Sequence, residues 1–198
     1  AGNDVDDDCD GNIDNTIVAC DTGLVSNSSM AVDYAKAMDL CTETTEASRR
    51  WGVISATLSL ASGMGAPDAR GYSIRPNFGP GTLPQGGASM ALLASGAAAA
   101  VGQQNPAHVD FATSLMHNTS SAFPADWLAA NGGMLPNAPG CPEINALSMA
   151  EDSVMLTLRI RVPSNAKSFS FASNFFSAEF PEWVCSPYND FFVALLNS

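Results

Sequence analysis

Positive charge is scarce in this sequence. It holds 8 Lys and Arg residues against 20 Asp and Glu residues, which gives a formal net charge of −12. Because nucleic acids and anionic membranes attract basic surfaces, this balance argues against both as partners. The acidity is concentrated at the front, where the first 21 residues hold seven of the acidic residues and no Lys or Arg.

Long apolar runs and metal-binding or catalytic motifs are also missing. No stretch approaches the roughly 18 apolar residues of a membrane-spanning helix, so no membrane span is predicted. Only two histidines, His108 and His117, accompany the five cysteines, and no CxxC pair occurs, which argues against zinc. The sequence shows no phosphate-binding glycine loop and no nucleophile elbow around either histidine. We therefore predict that the chain is not an enzyme, with a hydrolase as the weakest alternative.

What the sequence does contain is enough apolar material for a core. It has 198 residues, of which 46% are hydrophobic and only 14% charged, so bulk disorder is not expected. Few lysines and five scattered cysteines are typical of an oxidising, extracellular setting. The odd cysteine count leaves at least one thiol free or bonded outside this chain.

Strand-like patterns dominate the fold prediction. Apolar and polar residues alternate in 51–61 and 152–163, and two further apolar strand candidates lie at 168–180 and 189–198. A short strand is predicted within 71–76. Helical spacing predicts helices over 30–41 and, in a small-residue segment, over 88–102, while the remainder is rich in Gly and Pro. The prediction is a mainly β chain with some α, a jelly-roll-like β-sandwich with helical insertions and long Gly/Pro-rich loops.

The stretch "DVDDDCDGNIDN" at 4–15 matches most of an EF-hand-type calcium loop. With Gly11 at the sixth position, the oxygen-bearing residues fall in register at Asp6, Asp8, Asp10, Asn12 and Asp14. The bidentate Glu expected at position 12 is replaced by Ile17, so another acid such as Asp21 must complete the shell. The alternatives are a solvated acidic tail and a different metal.

A second acidic cluster lies among aromatics near the end of the chain. In "FFSAEFPEWVCSPYNDFF" at 175–192, the residues Glu179, Glu182, Asn189 and Asp190 accompany seven aromatic side chains. Carboxylates in apolar surroundings need a partner, and a second calcium site is one solution. The alternatives are a surface turn with the acids outward and a glycosidase-like acid pair.

The cysteines suggest a disulfide framework. Cys9 and Cys20 flank the aspartate loop, so a bridge between them would close it. As a working assumption we pair Cys41 with Cys141, which leaves Cys185 as the odd cysteine.

Two resemblances add to this interpretation. Residues 4–20 resemble the DxDCDGxxD metal-binding motif of secreted bacterial proteins. The stretch at 175–192, with "WGVISA" at 51–56, "FGPGTLPQGGASMALLASG" at 78–96 and "LRIRVPSNAKSFSF" at 158–171, resembles choice-of-anchor L domains. That resemblance covers 28–198 and implies a secreted or surface-anchored bacterial protein. Because the family domain normally continues further, it also implies that this chain is the front part of such a domain.

These observations predict two units and a non-enzymatic function. Residues 1–26 form an acidic calcium-binding segment, and 27–198 form a sandwich domain that is incomplete at its C-terminus. The expected function is a secreted, calcium-stabilised structural or adhesive surface protein, for example a filament subunit. Its partner is another protein chain, either a second copy or the remainder of its own domain. The alternative is a carbohydrate- or ligand-binding module that uses the aromatics and acids near 179–190.

Overall fold

The computed structural model describes residues 19–98, 116, 118–136, 139–141 and 149–197. These ranges contain α1 (Ala31–Lys36), β1 (Gly52–Ser59), β2 (Tyr72–Arg75), β3 (Met90–Leu93), β4 (Ser120–Ser121), α2 (Ala125–Ala130), β5 (Ala150–Glu151) and β6 (Met155–Arg161). The strands form three two-stranded antiparallel sheets, which pair β1 with β6, β2 with β3 and β4 with β5. The described part is therefore mainly β with some α, as predicted, while the jelly-roll sandwich stays a prediction. Neither described helix is long and apolar enough to cross a membrane.

The longest sheet is formed by the two segments that alternate most regularly in the sequence. β1 and β6 pair with Thr57 opposite Thr157. Along β6, Thr157 and Arg159 are exposed and their neighbours are partly buried. Because successive strand side chains point to opposite faces, an alternating pattern suits a strand with one covered face. The strands predicted in 51–61 and 152–163 are confirmed.

Helix α1 is shorter than the sequence predicts. The apolar spacing extends over 30–41, but the helix ends at Lys36. Asp39 adopts a left-handed conformation with φ of 62°, and the Leu40 N–H donates to the carbonyl of Ala35 at 3.0 Å. A left-handed residue after a helix lets late N–H groups return to its last carbonyls, so the chain turns here instead of continuing as helix.

The helix predicted over 88–102 is wrong where the structure describes it. This part of the chain runs alongside β2 and forms β3. Beyond β3, the Ala98 N–H donates to the carbonyl of Arg70 at 2.8 Å, and the Ser73 hydroxyl donates to the Ala98 carbonyl. Helix propensity amounts to only a fraction of a kcal/mol per residue, about 0.7 at most for ordinary residues, so pairing with a neighbouring strand overrides it.

The strands predicted at 168–180 and 189–198 do not form in the described residues. From 162 to 197 the chain contains turns around 180–185 and no strand or helix. Aromatic and β-branched residues favour strands, but a strand exists only when its backbone pairs with a neighbour. None of the described strands lies beside this segment, so its backbone has no described neighbour with which to form a strand.

The buried core is small. Tyr34, Ala37 and Ile74 form its centre, and the side chains packed against it are Leu24, Leu58, Tyr72, Ala91 and Leu156. The Tyr34 side chain is fully buried, and its hydroxyl donates to the carbonyl of Ser28 at 2.9 Å. Burial raises the pKa of Tyr34 well above its usual value, so its hydroxyl stays protonated. The core therefore sits between α1 and the strands of the first two sheets.

Two disulfides replace the predicted ones. Cys20 bonds to Cys41 and Cys141 bonds to Cys185, with Cα atoms 5.4 Å and 5.1 Å apart. The predicted Cys9–Cys20 and Cys41–Cys141 bridges are wrong, and Cys185 is not the odd cysteine. The Cys9–Cys20 prediction rests on the two cysteines flanking the aspartate loop, but the turn after α1 brings Cys41 back beside Cys20. Cys9 lies outside the described residues.

Candidate functional site

The predicted calcium loop cannot be compared with the structure. Its residues Asp6, Asp8, Asp10, Asn12 and Asp14 lie outside the described residues. Calcium binding by this loop therefore stays a prediction from the sequence.

The second acidic cluster is described, and the structure brings part of it together. Ser177 donates to Asp190 at 3.1 Å, and the charge of Asp190 lies close enough to influence Glu179. Burial and this neighbouring charge raise the pKa of Glu179, and a hydrogen bond from the Asp190 N–H opposes them. Glu182 is exposed and Asn189 is partly buried. In the part of the chain that the structure describes, no three acidic, His or Cys side chains converge into a metal-binding group.

Large aromatic side chains cover the surface of the segment from 162 to 197. Phe169 is 62% exposed and Phe180 is 83% exposed. We call this set the C-terminal aromatic surface: Phe169, Phe171, Phe175, Phe176, Phe180, Trp183, Tyr188 and Phe192. Leu195 and Leu196 are also exposed. Large exposed apolar area is uncommon on monomeric proteins, so this set is a candidate interaction surface.

The C-terminal aromatic surface is attached to the rest of the protein at a few points. The Phe176 ring lies 4.9 Å from Phe78, and Phe191 contacts Trp127 of α2 at 5.4 Å between ring centroids. The Cys141–Cys185 disulfide adds a covalent link. Within the surface, rings pair with one another, as Trp183 does with Tyr188 at 5.6 Å. These contacts fix the segment while leaving most of each ring open to solvent.

A buried carboxylate lies apart from the aromatic surface, at the other disulfide. Asp21 is 2% exposed, although it follows directly after Cys20. Its Oδ2 atom accepts the N–H groups of Ala88 and Ser89, both at 2.6 Å, and the Ser89 hydroxyl at 2.9 Å. Burial opposes ionisation, but these hydrogen bonds outweigh it and lower the pKa of Asp21. The residue is therefore an anion held against the 88–89 backbone.

Asp39 faces the same region from the turn after α1. A Cβ atom on Gly87 would lie 2.6 Å from Asp21 Oδ2 and 2.7 Å from Asp39 Oδ1. Gly87 also has a φ of +63°, so this position requires glycine for its conformation as well as for space. Burial and the charge of Asp21 raise the pKa of Asp39. Two carboxylates with opposite pKa shifts thus share one small site, which we call the Asp21–Asp39 pair.

Most of this site is not apparent from the sequence. Asp21 is predicted as a completing ligand of the aspartate loop, and Asp39 falls within the helix predicted over 30–41. The available signal was the "QGGAS" stretch at 85–89, where two adjacent glycines allow side chains from elsewhere to approach the backbone closely.

Comparison with known proteins finds no relative of this chain. No family model, no curated protein and no solved structure matches this chain. The resemblance to choice-of-anchor L domains therefore stays a prediction.

Proposed function

We propose that this chain is a secreted, calcium-stabilised structural protein of a cell surface or filament, and that a second copy covers its C-terminal aromatic surface. The exposure of that surface is the observation that carries the proposal. The sandwich fold and the adhesive role belong to the same proposal. Two disulfides suit an oxidising compartment, which supports an extracellular location.

Apolar burial supplies the driving force for association. Each large side chain moved from water into an interface gains roughly 1.5–3 kcal/mol relative to leaving it exposed. In the described residues these side chains do not pack into the core, whose centre is formed by Tyr34, Ala37 and Ile74. Another polypeptide is the direct way to cover them.

We favour a second copy as the chain that covers this surface. One chain carries both a strand edge that could accept a further strand and a strand-like segment that could be donated to it. Among the described strands, β6 pairs only with β1, which leaves its other edge open to a further strand. The apolar run at 189–197 is strand-like in sequence and pairs with no strand of the described residues. Donation of this run to the β6 edge of a neighbour is strand addition, and repeated head to tail it forms a filament.

The test is the mass of the full chain by sedimentation over a range of concentrations, with calcium and with a chelator. We expect wild-type mass to rise with concentration and to rise further with calcium, because a net charge of −12 per copy opposes association. The double variant Phe175→Ser, Phe180→Ser, which removes two exposed rings, should shift association to at least tenfold higher concentration. The matched control is Met64→Ser, which removes a 73% exposed apolar side chain outside the segment. A wild-type mass that stays monomeric at all concentrations contradicts the proposal.

A carbohydrate-binding module is the second candidate, favoured by one feature. Trp183 and Tyr188 are each about half exposed and lie near the adjacent acids Glu179 and Asp190. Aromatic faces beside carboxylates are suited to sugar rings and their hydroxyl groups. Binding of the monomer to a glycan array, lost in Trp183→Ala, would favour this candidate over self-association.

A further inference from the structure

One carboxylate oxygen in the Asp21–Asp39 pair has no partner. Asp21 Oδ2 accepts three hydrogen bonds, whereas Asp21 Oδ1 is buried and accepts none from the described residues. A buried anionic oxygen without a hydrogen bond or a counter-ion is strongly unfavourable. The site therefore lacks a positive group at this atom.

None of the ion pairs among the described residues supplies that positive group. Among the described residues, neither Asp21 nor Asp39 forms an ion pair with Lys or Arg. The lysine of α1, Lys36, is directed to Asp33 and Glu43 instead, with its Nζ atom 3.0 Å from Glu43. In the described part of the chain, two carboxylates thus lie close together with no cation between them, and their like charges repel.

The covalent framework holds the two carboxylates in place. Cys20 directly precedes Asp21 and Cys41 follows Asp39 by two residues, so the Cys20–Cys41 disulfide ties together the segments that carry them. Asp21 Oδ2 and Asp39 Oδ1 both lie within 2.7 Å of one point above Gly87. At these oxygens the two carboxylates therefore lie at most about twice that distance apart, which is the scale of one calcium ion with ligands at roughly 2.3–2.6 Å. Because three hydrogen bonds already saturate Asp21 Oδ2, the oxygen of this carboxylate that remains for an ion is Oδ1.

We propose that Asp21 and Asp39 together bind one calcium ion, with the unpartnered Oδ1 of Asp21 as its buried ligand and the Asp39 carboxylate as its solvent-side ligand. Asp39 is exposed, so an ion can enter from solvent. Backbone carbonyls and waters complete the six to eight oxygen ligands that calcium takes. The disulfide makes the site rigid before the ion arrives, and a rigid site reduces the entropy lost on binding.

This inference rests on the calcium part of the proposed function and deepens it without depending on self-association. Asp39 is not among the ligands predicted for the loop at 4–15, whereas Asp21 is also the acid that could complete the shell of that loop. It assigns an ion to the junction of α1 with the 85–89 turn, next to the small core. Calcium there would stabilise the packing of α1 and the 85–89 turn directly.

The experiment is calcium titration of the full chain by calorimetry, together with thermal unfolding in calcium and in chelator. We expect Tm to rise by about 5–10 °C when calcium reaches about 100 times its dissociation constant. Asp39→Asn should lose at least half of this rise and bind one calcium ion fewer. Because Asp39 is exposed, this variant should fold even if Asp21→Asn does not. The control is Asp126→Asn, which removes the same charge from an exposed position on α2.

The possible outcomes distinguish calcium binding by the Asp21–Asp39 pair from calcium binding by the front loop and from self-association. Asp39→Asn with one ion fewer and Asp126→Asn unchanged supports the site. Asp39→Asn with wild-type stoichiometry and affinity overturns it, while calcium in the front loop would still stand. A wild-type chain that binds no calcium overturns both calcium proposals, but leaves self-association to be decided by the mass measurement.

Discussion

At the scale of single residues, the best-defined charge interaction joins Asp68 and Arg70. The Arg70 Nε and Nη2 atoms donate to the two carboxylate oxygens of Asp68 at 2.9 Å and 2.6 Å, and the Asn118 amide adds a further bond at 2.6 Å. These donors, Arg70 first, hold the pKa of Asp68 well below its usual value. The side chain of Asp68 is mostly buried, so this pair is only weakly screened by solvent.

The sign of the pH dependence follows from this pKa shift. A carboxyl with a lower pKa in the folded state contributes stability above its unfolded pKa of about 3.9, and loses it as pH falls toward the folded value. We expect Asp68→Asn to lower the free energy of unfolding by about 2 kcal/mol at pH 7 and by much less near pH 2. Urea unfolding at the two pH values measures both.

The control for Asp68 is a surface ion pair. Arg159 Nη1 lies 2.9 Å from Glu46, but both side chains are more than 60% exposed. Exposed pairs contribute about 0–1 kcal/mol, so Glu46→Gln should change stability little at either pH. Equal losses for Asp68→Asn at pH 7 and at pH 2 would contradict the ionic origin of the effect.

At the scale of elements, β1 depends on a close approach at its first residue. Gly52 has a φ of +142°, and a Cβ atom there would lie 2.6 Å from the carbonyl oxygen of Thr42. That same oxygen accepts the N–H of Val53 at 2.8 Å. The strand can therefore begin beside the 42–44 segment only if position 52 lacks a side chain.

Substitution at this position should be costly. We expect Gly52→Ala to destabilise the protein by about 2–3 kcal/mol, since Ala must both adopt the strained conformation and displace the Thr42 carbonyl. Thermal unfolding and hydrogen exchange of the Val53 amide report the effect. Gly81→Ala is the matched control, because a Cβ there meets nothing within 4 Å. A Gly52→Ala variant as stable as Gly81→Ala would rule out this steric explanation.

The elements also show which parts of the fold a sequence can reveal. The strands β1 and β6 were predictable because alternation is a local signal, tied to which face of a strand is covered. The strand within segment 88–98 was not predictable, because its small residues favour a helix locally and it becomes a strand only by pairing with β2. The segments at 168–180 and 189–198 were predicted as strands on composition alone, although a strand also needs a neighbour.

The candidate sites show the same difference between features with a local sequence signal and features that depend on long-range contacts. The sequence singled out the acids Glu179 and Asp190, which the structure brings together. The disulfides and the Asp21–Asp39 pair join segments far apart in the chain, and no local pattern encodes which cysteine or carboxylate will meet which. The turn at Asp39 brings Cys41 toward Cys20 and lies where the Asp39 carboxylate approaches Gly87.

At the scale of the whole molecule, the chain combines a small buried core with a large apolar surface. The described core centres on Tyr34, while the C-terminal aromatic surface keeps eight rings half exposed or more. Such an arrangement is unfavourable for an isolated chain in water and favourable for one that associates. The net charge of −12 would oppose the proposed association, and divalent cations would reduce that repulsion.

Hydrogen exchange of the full chain at low and at high concentration, with calcium present, tests this association most directly. If a second copy covers the C-terminal aromatic surface and pairs with β6, amides in 189–197 should exchange at least tenfold more slowly at high concentration, and those of β6 should slow with them. Amides of β2, which lies outside the proposed interface, should not change. Identical exchange of 189–197 at both concentrations would show that the surface stays uncovered and that the chain does not assemble in this way.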